Sequence, residues 1–260
     1  MRRLFGWQIT HNFLLNHILI LFKMDRKCAR LANPYVFFIP DSNKSTQENA
    51  GYSNRQEINE VLEKSKKDLL AISGPYLKEG ARILDIGCGP GMYLSLFKHK
   101  PYELHASDIN AGMIGLAKKQ VPDALFYEGD LLDISIQQRF DLVYCIGMLI
   151  YIPPSALKPF IKKIASLLKD DGIFYLNFPH AISYWDSLFH DISYVQYSPA
   201  YLRKVLAPYF DIYIDQHAFD GRVIDIYDKT SYKSLNPGTD RTYKNSYLLV
   251  AKKRKQHEPL

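Results

Sequence analysis

The sequence predicts an α/β fold, in which a mostly parallel sheet carries helices on both of its faces. Between residues 52 and 252, short apolar runs alternate with amphipathic stretches of helical length, and this alternation is typical of parallel sheets. In addition, residues 82–91 (RILDIGCGPG) have the pattern of a buried strand that ends in a glycine-rich turn. We therefore expect a doubly wound sheet with a ligand site where its strands end.

The first 51 residues are predicted to form an extension ahead of this domain. Residues 4–22 are rich in apolar side chains and follow two arginines, but polar residues recur at positions 8, 12 and 16. A polar stripe of this kind favours a helix that lies on a membrane surface, so weak membrane association through residues 4–22 is one hypothesis. A mis-assigned start, with Met24 as the true first residue, is the other. Residues 24–51 are predicted to be a loop.

The first half of the domain alternates strands and helices in a regular order. Ser53 and Gln56 have the spacing of a capping box, and the helix behind them is predicted to end at Gly74. The strand at 82–86 and its glycines are followed by a stretch with helical character at 92–99. A second strand over residues 104–110 and a helix over 111–119 come next.

The second half continues the pattern and then changes it. The remaining strands are predicted over residues 124–127, 140–146, 173–178, 209–216 and 246–251. The helices between them are predicted over residues 157–168, stopped at Gly172, and over residues 199–207. Because a loop, and not a helix, joins the last two strands, we expect these to pair antiparallel. Residues 253–260 are predicted to be a basic tail.

Charge and cysteine content restrict the classes of function. The net charge is +6, but the basic residues are concentrated in residues 1–30 and in the tail, and the body between them is slightly acidic. A basic groove for nucleic acid is therefore not expected. Cys28, Cys88 and Cys145 have no paired spacing, which predicts a reducing compartment such as the cytoplasm and no metal cluster. Cys88 is most simply a small residue in a tight turn.

Three features of the glycine turn describe its ligand. The turn reads G-C-G-P-G, whereas a dinucleotide fingerprint would need its third glycine at Met92. Asp85 precedes the turn, and its carboxylate would repel a pyrophosphate but suits a cationic amino group. Asp108 lies about twenty residues further on, the spacing at which a carboxylate binds ribose hydroxyls. The ligand then has a ribose and an ammonium group but no phosphate.

S-adenosylmethionine is such a ligand, and with these motifs the chain resembles the class I S-adenosylmethionine-dependent methyltransferases. The resemblance covers about residues 52–252. It implies a Rossmann-like, doubly wound sheet of seven strands with the last one antiparallel, and S-adenosyl-L-methionine as the cofactor. It also implies transfer of a methyl group to an acceptor molecule.

The residues and the resemblance together predict which side chains bind the cofactor. These residues are Asp85, Gly87, Cys88, Gly89, Asp108, Ile109, Asp130, Leu131 and Cys145. The acid before the turn and the turn itself would hold the methionine end, and Asp108 the ribose hydroxyls. The alternative role of Asp108 is to cap the following helix, which Asn110 could do instead. The resemblance gives Asp130 the adenine amino group, with a simple turn carboxylate as the alternative.

The same resemblance places the remaining predicted side chains around the cofactor. Ile109 and Leu131 would flank the adenine ring, and Cys145 and Ile146 would lie under the reacting end. The acceptor pocket is expected in the loops after the fourth and fifth strands. Its aromatic and histidine residues are Tyr151, His180, Tyr184, Trp185, His190, Tyr194 and Tyr197. These aromatics could equally pack among themselves as a lid.

A small molecule is the expected acceptor, methylated at oxygen, nitrogen or carbon. His180, at the tip of the fifth strand, is the first candidate for a general base, and His190 is the second. The run Ile152-Pro153-Pro154-Ser155 lacks the polar and aromatic residues that flank the two prolines in methyltransferases of nucleic-acid bases. Two alternatives stay open: a protein or RNA acceptor bound through the basic tails, and a non-catalytic member that binds the cofactor or a partner. The oligomeric state is left open.

Overall fold

The computed structural model describes residues 18–22, 24–41, 43–51, 56–179, 195, 197–218 and 246–255. Its centre is a seven-stranded sheet in the order β3-β2-β1-β4-β5-β7-β6. The strands are β1 Arg82–Ile86, β2 Glu103–Asp108, β3 Leu125–Glu128, β4 Phe140–Ile146, β5 Leu168–Pro179, β6 Phe210–His217 and β7 Ser246–Lys253. Strands β1 to β5 are parallel, and β7 is antiparallel to both β5 and β6. The predicted fold class is confirmed.

Six α-helices of the described part of the chain surround the sheet, and described helical residues 18–21 precede them. The six are α1 Asp25–Ala32, α2 Thr46–Asn49, α3 Gln56–Ser73, α4 Ala111–Gln120, α5 Pro154–Leu167 and α6 Pro199–Leu206. Buried residues of α5 and α6 form a core with one face of the sheet, and Leu69 of α3 and Ala117 of α4 belong to the core on the other face. Helices therefore cover both faces, as a doubly wound sheet requires.

Local sequence signals fix where two of these helices begin. The Asn110 side chain accepts a hydrogen bond from the Met113 amide at 2.8 Å, so Asn110 is the N-cap of α4. The Ser198 side chain caps α6 in the same way, and Pro199 occupies its first turn. Because Asn110 caps α4, Asp108 is left for another role.

Two predicted helices differ from those observed. Residues 92–99 do not form an α-helix, since Leu94–Phe97 is a short 3₁₀ turn. The helix predicted over residues 157–168, with its stop signal at Gly172, ends at Leu167, because Leu168 already has an extended backbone and pairs with Phe140 of β4. At Leu168, strand pairing in the folded chain thus overrides the local helical preference.

Residues 24–41, which we name the cover segment, are attached to the domain. The loop predicted for residues 24–51 is wrong, since α1 and α2 form there. The Asp25 carboxylate is completely buried and accepts hydrogen bonds from the amide and hydroxyl of Ser155. The Asn110 side-chain amide donates to the carbonyl oxygens of Tyr35 at 2.6 Å and Phe38 at 2.8 Å. These contacts hold the cover segment against α4 and α5.

Other predictions fall wholly or partly outside the described residues. They concern the capping box at Ser53, most of the helix predicted at 4–22, and residues 256–260 of the basic tail. The described start of that tail continues β7 to Lys253. Among the helices that the structure describes, none is both long enough and apolar enough to cross a membrane.

Candidate active site

A cavity of about 380 Å³ lies at the carboxyl ends of the parallel strands, the position at which open α/β sheets bind ligands. Seven of the residues predicted to bind the cofactor line it together. They are Gly87, Cys88, Gly89, Asp108, Ile109, Asp130 and Leu131. Residues that lie far apart along the chain thus meet at one site.

The first two glycines of the turn, Gly87 and Gly89, differ in what a side chain at each position would meet. Gly89 has φ +52°, and no heavy atom lies within 4 Å of the position that a Cβ would occupy there. Since Gly89 lines the cavity, its missing side chain leaves room for a ligand. Gly87 has φ +71°, and a Cβ there would lie 2.5 Å from Cγ of Met148. At Gly87, therefore, the close neighbour is a side chain of the protein.

The backbone amides of the turn already have hydrogen-bond partners within the protein. The amides of Gly87 and Cys88 donate to the carbonyl oxygen of Ser107 at 2.8 and 3.1 Å. The amide of Gly89 donates to Oδ2 of Asp108 at 2.8 Å. Phosphate sites at glycine turns depend on free amides at a helix N-terminus, whereas here the three amides have partners and a 3₁₀ turn follows. The turn is suited to a ligand without phosphate.

Asp108 is the carboxylate that lines the cavity directly beside the glycine turn. Its Oδ2 accepts from Gly89, and its Oδ1 accepts from the Asn110 amide at 2.9 Å. Burial raises the pKa of Asp108, while these backbone hydrogen bonds act in the opposite direction. Each carboxylate oxygen can accept a further hydrogen bond, so Asp108 is oriented to receive two hydroxyl groups.

Asp85 is not brought to the cavity wall. It is 3% exposed, and Oδ2 accepts a hydrogen bond from the Tyr144 hydroxyl at 2.9 Å. Burial raises the pKa of Asp85 to about 8, and the bond from Tyr144 only partly opposes this. At neutral pH the side chain is therefore mostly an uncharged acid beneath the turn. The predicted direct contact between an Asp85 carboxylate and an ammonium group is not present in this arrangement.

Asp130 is bound by a residue that the sequence did not indicate. Nη2 of Arg26, in α1, lies 2.9 Å from Oδ2 of Asp130 and 2.8 Å from Oδ1 of Asp133. The other oxygen of Asp130 accepts from the Leu132 amide at 3.0 Å. Asp130 therefore has the contacts of a turn carboxylate while it also lines the cavity. No spacing signal connects Arg26 and Asp130, because they lie 104 residues apart.

The two predicted cysteines are placed differently. Cys88 lines the cavity, and burial raises its pKa well above the ordinary value, so it is a neutral thiol. Cys145 is completely buried in the core, whereas Ile146, which was predicted beside it under the reacting end, lines the cavity. Successive side chains of a strand point to opposite faces, and the prediction that Cys145 lies under the reacting end is therefore corrected.

Polar and aromatic side chains from α3, β5, the cover segment and the residues after the glycine turn also line the wall. Asp68, Tyr93 and Asn177 line it, and Tyr35 contacts Tyr151 edge to face at 5.6 Å between ring centroids. The sequence had indicated only Tyr151 of these. The others carry no motif, because they meet only when α3 packs on the sheet and the cover segment closes over it.

The remaining aromatic and histidine predictions have separate outcomes. The Tyr197 hydroxyl donates to the carbonyl oxygen of Ile152 at 2.7 Å, and its side chain is buried in the core. Tyr197 therefore fixes the chain after β5 and does not line the cavity. The other five lie outside the described residues: His180, Tyr184, Trp185, His190 and Tyr194.

Comparisons with known proteins agree with this geometry. Residues 53–236 match a family model described as "Methyltransferase domain". The chain is 32% identical over 79 residues to the dTDP-3-amino-3,6-dideoxy-alpha-D-glucopyranose N,N-dimethyltransferase of Streptomyces fradiae, covering 30% of this chain and 31% of that protein. It is 29% identical over 164 residues to the trans-aconitate 2-methyltransferase of Enterobacter sp. (strain 638), covering 62% and 64%. The match spans less than two thirds of either relative.

Solved structures show the same fold. The N-methyltransferase NodS from Bradyrhizobium japonicum WM9, in complex with S-adenosyl-L-homocysteine, has a TM-score of 0.59 at 14% identity, over 81% of this chain and 97% of that one. A TehB-like SAM-dependent methyltransferase from Corynebacterium glutamicum has a TM-score of 0.55 at 18% identity, over 80% and 92%. At these identities, the likeness is evidence for the fold.

Proposed function

Because this chain belongs to the class I S-adenosylmethionine-dependent methyltransferases, we propose that it transfers a methyl group from S-adenosylmethionine to a small-molecule acceptor. S-adenosyl-L-methionine is the cofactor of the family, in agreement with the prediction from the sequence. The observation that carries the proposal is that Asp108 and Gly89 line the same cavity, with open space where a side chain of Gly89 would stand.

The residues of the cavity fit the chemistry of this cofactor. Asp108 presents a buried carboxylate to hydroxyl groups, and Gly89 leaves space beside it where a side chain would stand. Ile109 and Leu131 offer apolar contacts on which a purine ring can lie. We assign the ribose to Asp108 and the adenine ring to this apolar pair, with Gly87, Cys88 and Gly89 around the methionine end.

The adenine amino group is assigned to Asp130, and this role requires a change in its ion pair. Arg26 occupies Oδ2 of Asp130 in the described structure. A donor of the ligand would share this oxygen or displace the guanidinium. For Asp85 we propose that it positions the glycine turn and does not contact the ligand itself, since its hydrogen bond with Tyr144 lies directly beneath the turn.

The catalytic demand on the protein is mainly orientation. When bound, S-adenosylmethionine supplies a methyl group that its sulfonium has already activated. The cavity residues then hold donor and acceptor in line, and Tyr35 and Tyr151 cover the site against water. A base is needed only where the acceptor must lose a proton. We propose His180 for that role and His190 as the second candidate.

The chemistry and size of the cavity favour a small acceptor. Its volume lies within the range of roughly 300–1,000 Å³ that is usual for small-ligand sites. The two relatives named above act, by their names, on an amino sugar nucleotide and on trans-aconitate. Asp68, Tyr93 and Asn177 give the acceptor end polar contacts for molecules of either kind.

A methyl-transfer assay tests this proposal directly. The purified chain is incubated with S-adenosylmethionine labelled in the methyl group, together with a panel of carboxylic acids, amines, amino sugar nucleotides and phenols. Label in a small product that requires Asp108 supports the proposal. Label that enters only protein or RNA would show that the acceptor is a macromolecule. Cofactor binding without transfer to any class of acceptor would favour a non-catalytic member.

We also propose a reducing compartment, the cytoplasm, as the location of the protein. Its three cysteines are free thiols, and burial raises the pKa of each of them. Neutral thiols away from one another need no oxidising environment. Alkylation of intact cells followed by mass spectrometry would show Cys28 reduced, and a mixed disulfide at that residue would contradict the proposal.

A further inference from the structure

Exposed apolar side chains are concentrated at the start of the described chain. Of the eleven large hydrophobic residues that the described part exposes, seven lie within residues 18–39. They include Leu21 at 76%, Phe22 at 68%, Leu31 at 71% and Ile39 at 86% exposure. Single exposed apolar residues are ordinary on protein surfaces, but a concentration of them in one short segment marks an interaction surface.

The exposed side of α1 combines this apolar character with positive charge. Asp25 and Ala29 are buried toward the domain, whereas Lys27, Arg30 and Leu31 are exposed. Arg30 and Leu31 lie three and four positions after Lys27, so both are neighbours of Lys27 on the helix surface. Asp25, the acidic residue of α1, is buried. Of its basic residues, Arg26 pairs with Asp130 and Asp133, whereas Lys27 and Arg30 are exposed, with Arg30 3.9 Å from Asp133.

The segment beyond α1 is held in a fixed orientation. Asn110 binds the carbonyl oxygens of Tyr35 and Phe38, and the Tyr35 ring packs against Tyr151 at the cavity. Ile39 is left pointing away from the domain. The exposed apolar residues are therefore presented by an anchored segment.

We propose that the outer face, formed by Leu21, Phe22, Lys27, Arg30, Leu31 and Ile39, binds an anionic membrane surface. Aliphatic and aromatic side chains mixed with lysine and arginine are the composition of interfacial segments, whose cations attract acidic headgroups. The preceding residues of the sequence continue this composition, with Arg2 and Arg3 beside the apolar run to residue 22. The proposal does not depend on which acceptor is methylated.

Docking in this way has a consequence for the site. Arg26, Arg30 and Asn33 line the cavity, and Arg30 also belongs to the outer face. The rim of the cavity would then lie beside the headgroups. An acceptor that partitions into the membrane could enter without crossing bulk water.

Vesicle sedimentation with the full chain tests the proposal. The probes are vesicles of phosphatidylcholine alone and of phosphatidylcholine mixed with phosphatidylserine. We expect the chain to sediment with the mixed vesicles, and the bound fraction to fall as salt is raised, because surface attraction is screened. The triple variant Phe22→Gln, Leu31→Gln, Ile39→Gln should bind roughly tenfold more weakly. A matched control replaces three exposed residues elsewhere, Tyr76, Leu125 and Tyr213, by glutamine and should bind as the wild type does.

A single charge variant tests the electrostatic part. Lys27→Gln should weaken binding to the mixed vesicles about fivefold, since each basic residue near an anionic surface contributes about that factor. Lys78→Gln, at an exposed lysine of another surface, should leave binding unchanged.

Several results would overturn the proposal. The first is a wild type that does not sediment with either kind of vesicle, and the second is an outer-face triple variant that binds as well as its control. The third is that neither protein binds vesicles while light scattering finds a dimer in the wild type and a monomer in the triple variant. This result would show that the outer face binds a second copy of the chain. Calorimetry of the same variants measures their affinity for S-adenosylhomocysteine. It therefore tests the proposed function independently of membrane binding.

Discussion

Asp108 is the residue whose replacement should affect the cofactor most. Asp108→Ala removes the acceptor for hydroxyl groups and releases the Gly89 amide. A hydrogen bond to a charged group is worth about 1.5–3 kcal/mol, so affinity for S-adenosylhomocysteine should fall roughly 10- to 100-fold. Calorimetry measures this, with Asp123→Ala, at an exposed residue, as the control. Unchanged affinity in a folded Asp108→Ala protein would show that Asp108 does not bind the ribose.

Asp85 should make stability depend on pH in the ligand-free chain. Its pKa is raised from 3.8 to about 8, so the folded state keeps a proton that the unfolded state releases above pH 3.8. Stability from this group is therefore lost as pH rises from about 4 to about 8. Between about pH 5 and 8, wild type should lose up to about 4 kcal/mol relative to Asp85→Asn.

Denaturant unfolding of both proteins across that range measures the difference, with Asp123→Asn as a flat control. A constant difference between wild type and Asp85→Asn would mean that Asp85 is already ionised in the folded chain. Asparagine keeps an oxygen that can accept from Tyr144, so the comparison isolates the proton from the hydrogen bond.

His180 is the residue expected to act on a proton. If the acceptor is a hydroxyl, His180→Ala should lower kcat by roughly 10²- to 10⁴-fold and leave cofactor affinity unchanged. The pH–rate profile should also lose its limb near the ordinary histidine pKa of about 6.5. Turnover within a few-fold of wild type on a hydroxyl acceptor would exclude His180, and His190 would be tested next.

The site residues fall into two groups: those that lie in a recognisable sequence motif and those that do not. Asp108 and Gly89 follow apolar strands at a spacing that could be read directly, and both line the cavity. Arg26 and Asp68 have no such signal, because each reaches the site only through the packing of its helix. Asp85 directly precedes the turn in the sequence, but neither its place behind the cavity wall nor its protonation could be inferred from spacing, because both follow from burial beside Tyr144.

At the scale of elements, the cover segment is the least predictable part of the described chain. The charged and polar residues of α1 hide its helical pattern, because its buried face includes Asp25 and not a row of aliphatic residues. Asp25 is recognisable as an inward-facing residue only when Ser155 is placed beside it. The strands were easier to predict, since their apolar runs match burial on both faces.

Truncation separates the two parts of the N-terminal region. A chain that begins at Met24 should fold and bind cofactor as the full chain does, because it retains Asp25 and the rest of the cover segment. A chain that begins at Asn43 loses α1 and the partners of Asn110, so we expect its thermal midpoint to fall by roughly 2–8 °C.

Differential scanning calorimetry of the three chains gives the midpoints. Equal midpoints for the full chain and the chain from Asn43 would show that the cover segment adds nothing to the stability of the domain. A lower midpoint for the chain from Met24 would show that residues 1–23 pack on the domain, contrary to the prediction.

At the scale of the whole molecule, alternation of strands and helices was enough to predict the sheet and its two helical layers. The sequence between β6 and β7 has no helical pattern, which predicted their antiparallel pairing, because a parallel pair needs a crossover that is usually a helix. The placement of β7 between β5 and β6 was not evident from the residues alone. It follows from the pairing in the folded sheet, in which β4 occupies one edge of β5 and β7 the other.

Titration calorimetry of the purified full chain with S-adenosylhomocysteine and with NAD tests the central claim most directly. The claim is that the cavity at Gly89 and Asp108 binds the cofactor of class I methyltransferases. We expect saturable binding of S-adenosylhomocysteine at one site and much weaker binding of NAD, since the amides of the turn have partners and cannot hold a pyrophosphate. Tighter binding of NAD, or no heat with S-adenosylhomocysteine, would contradict it.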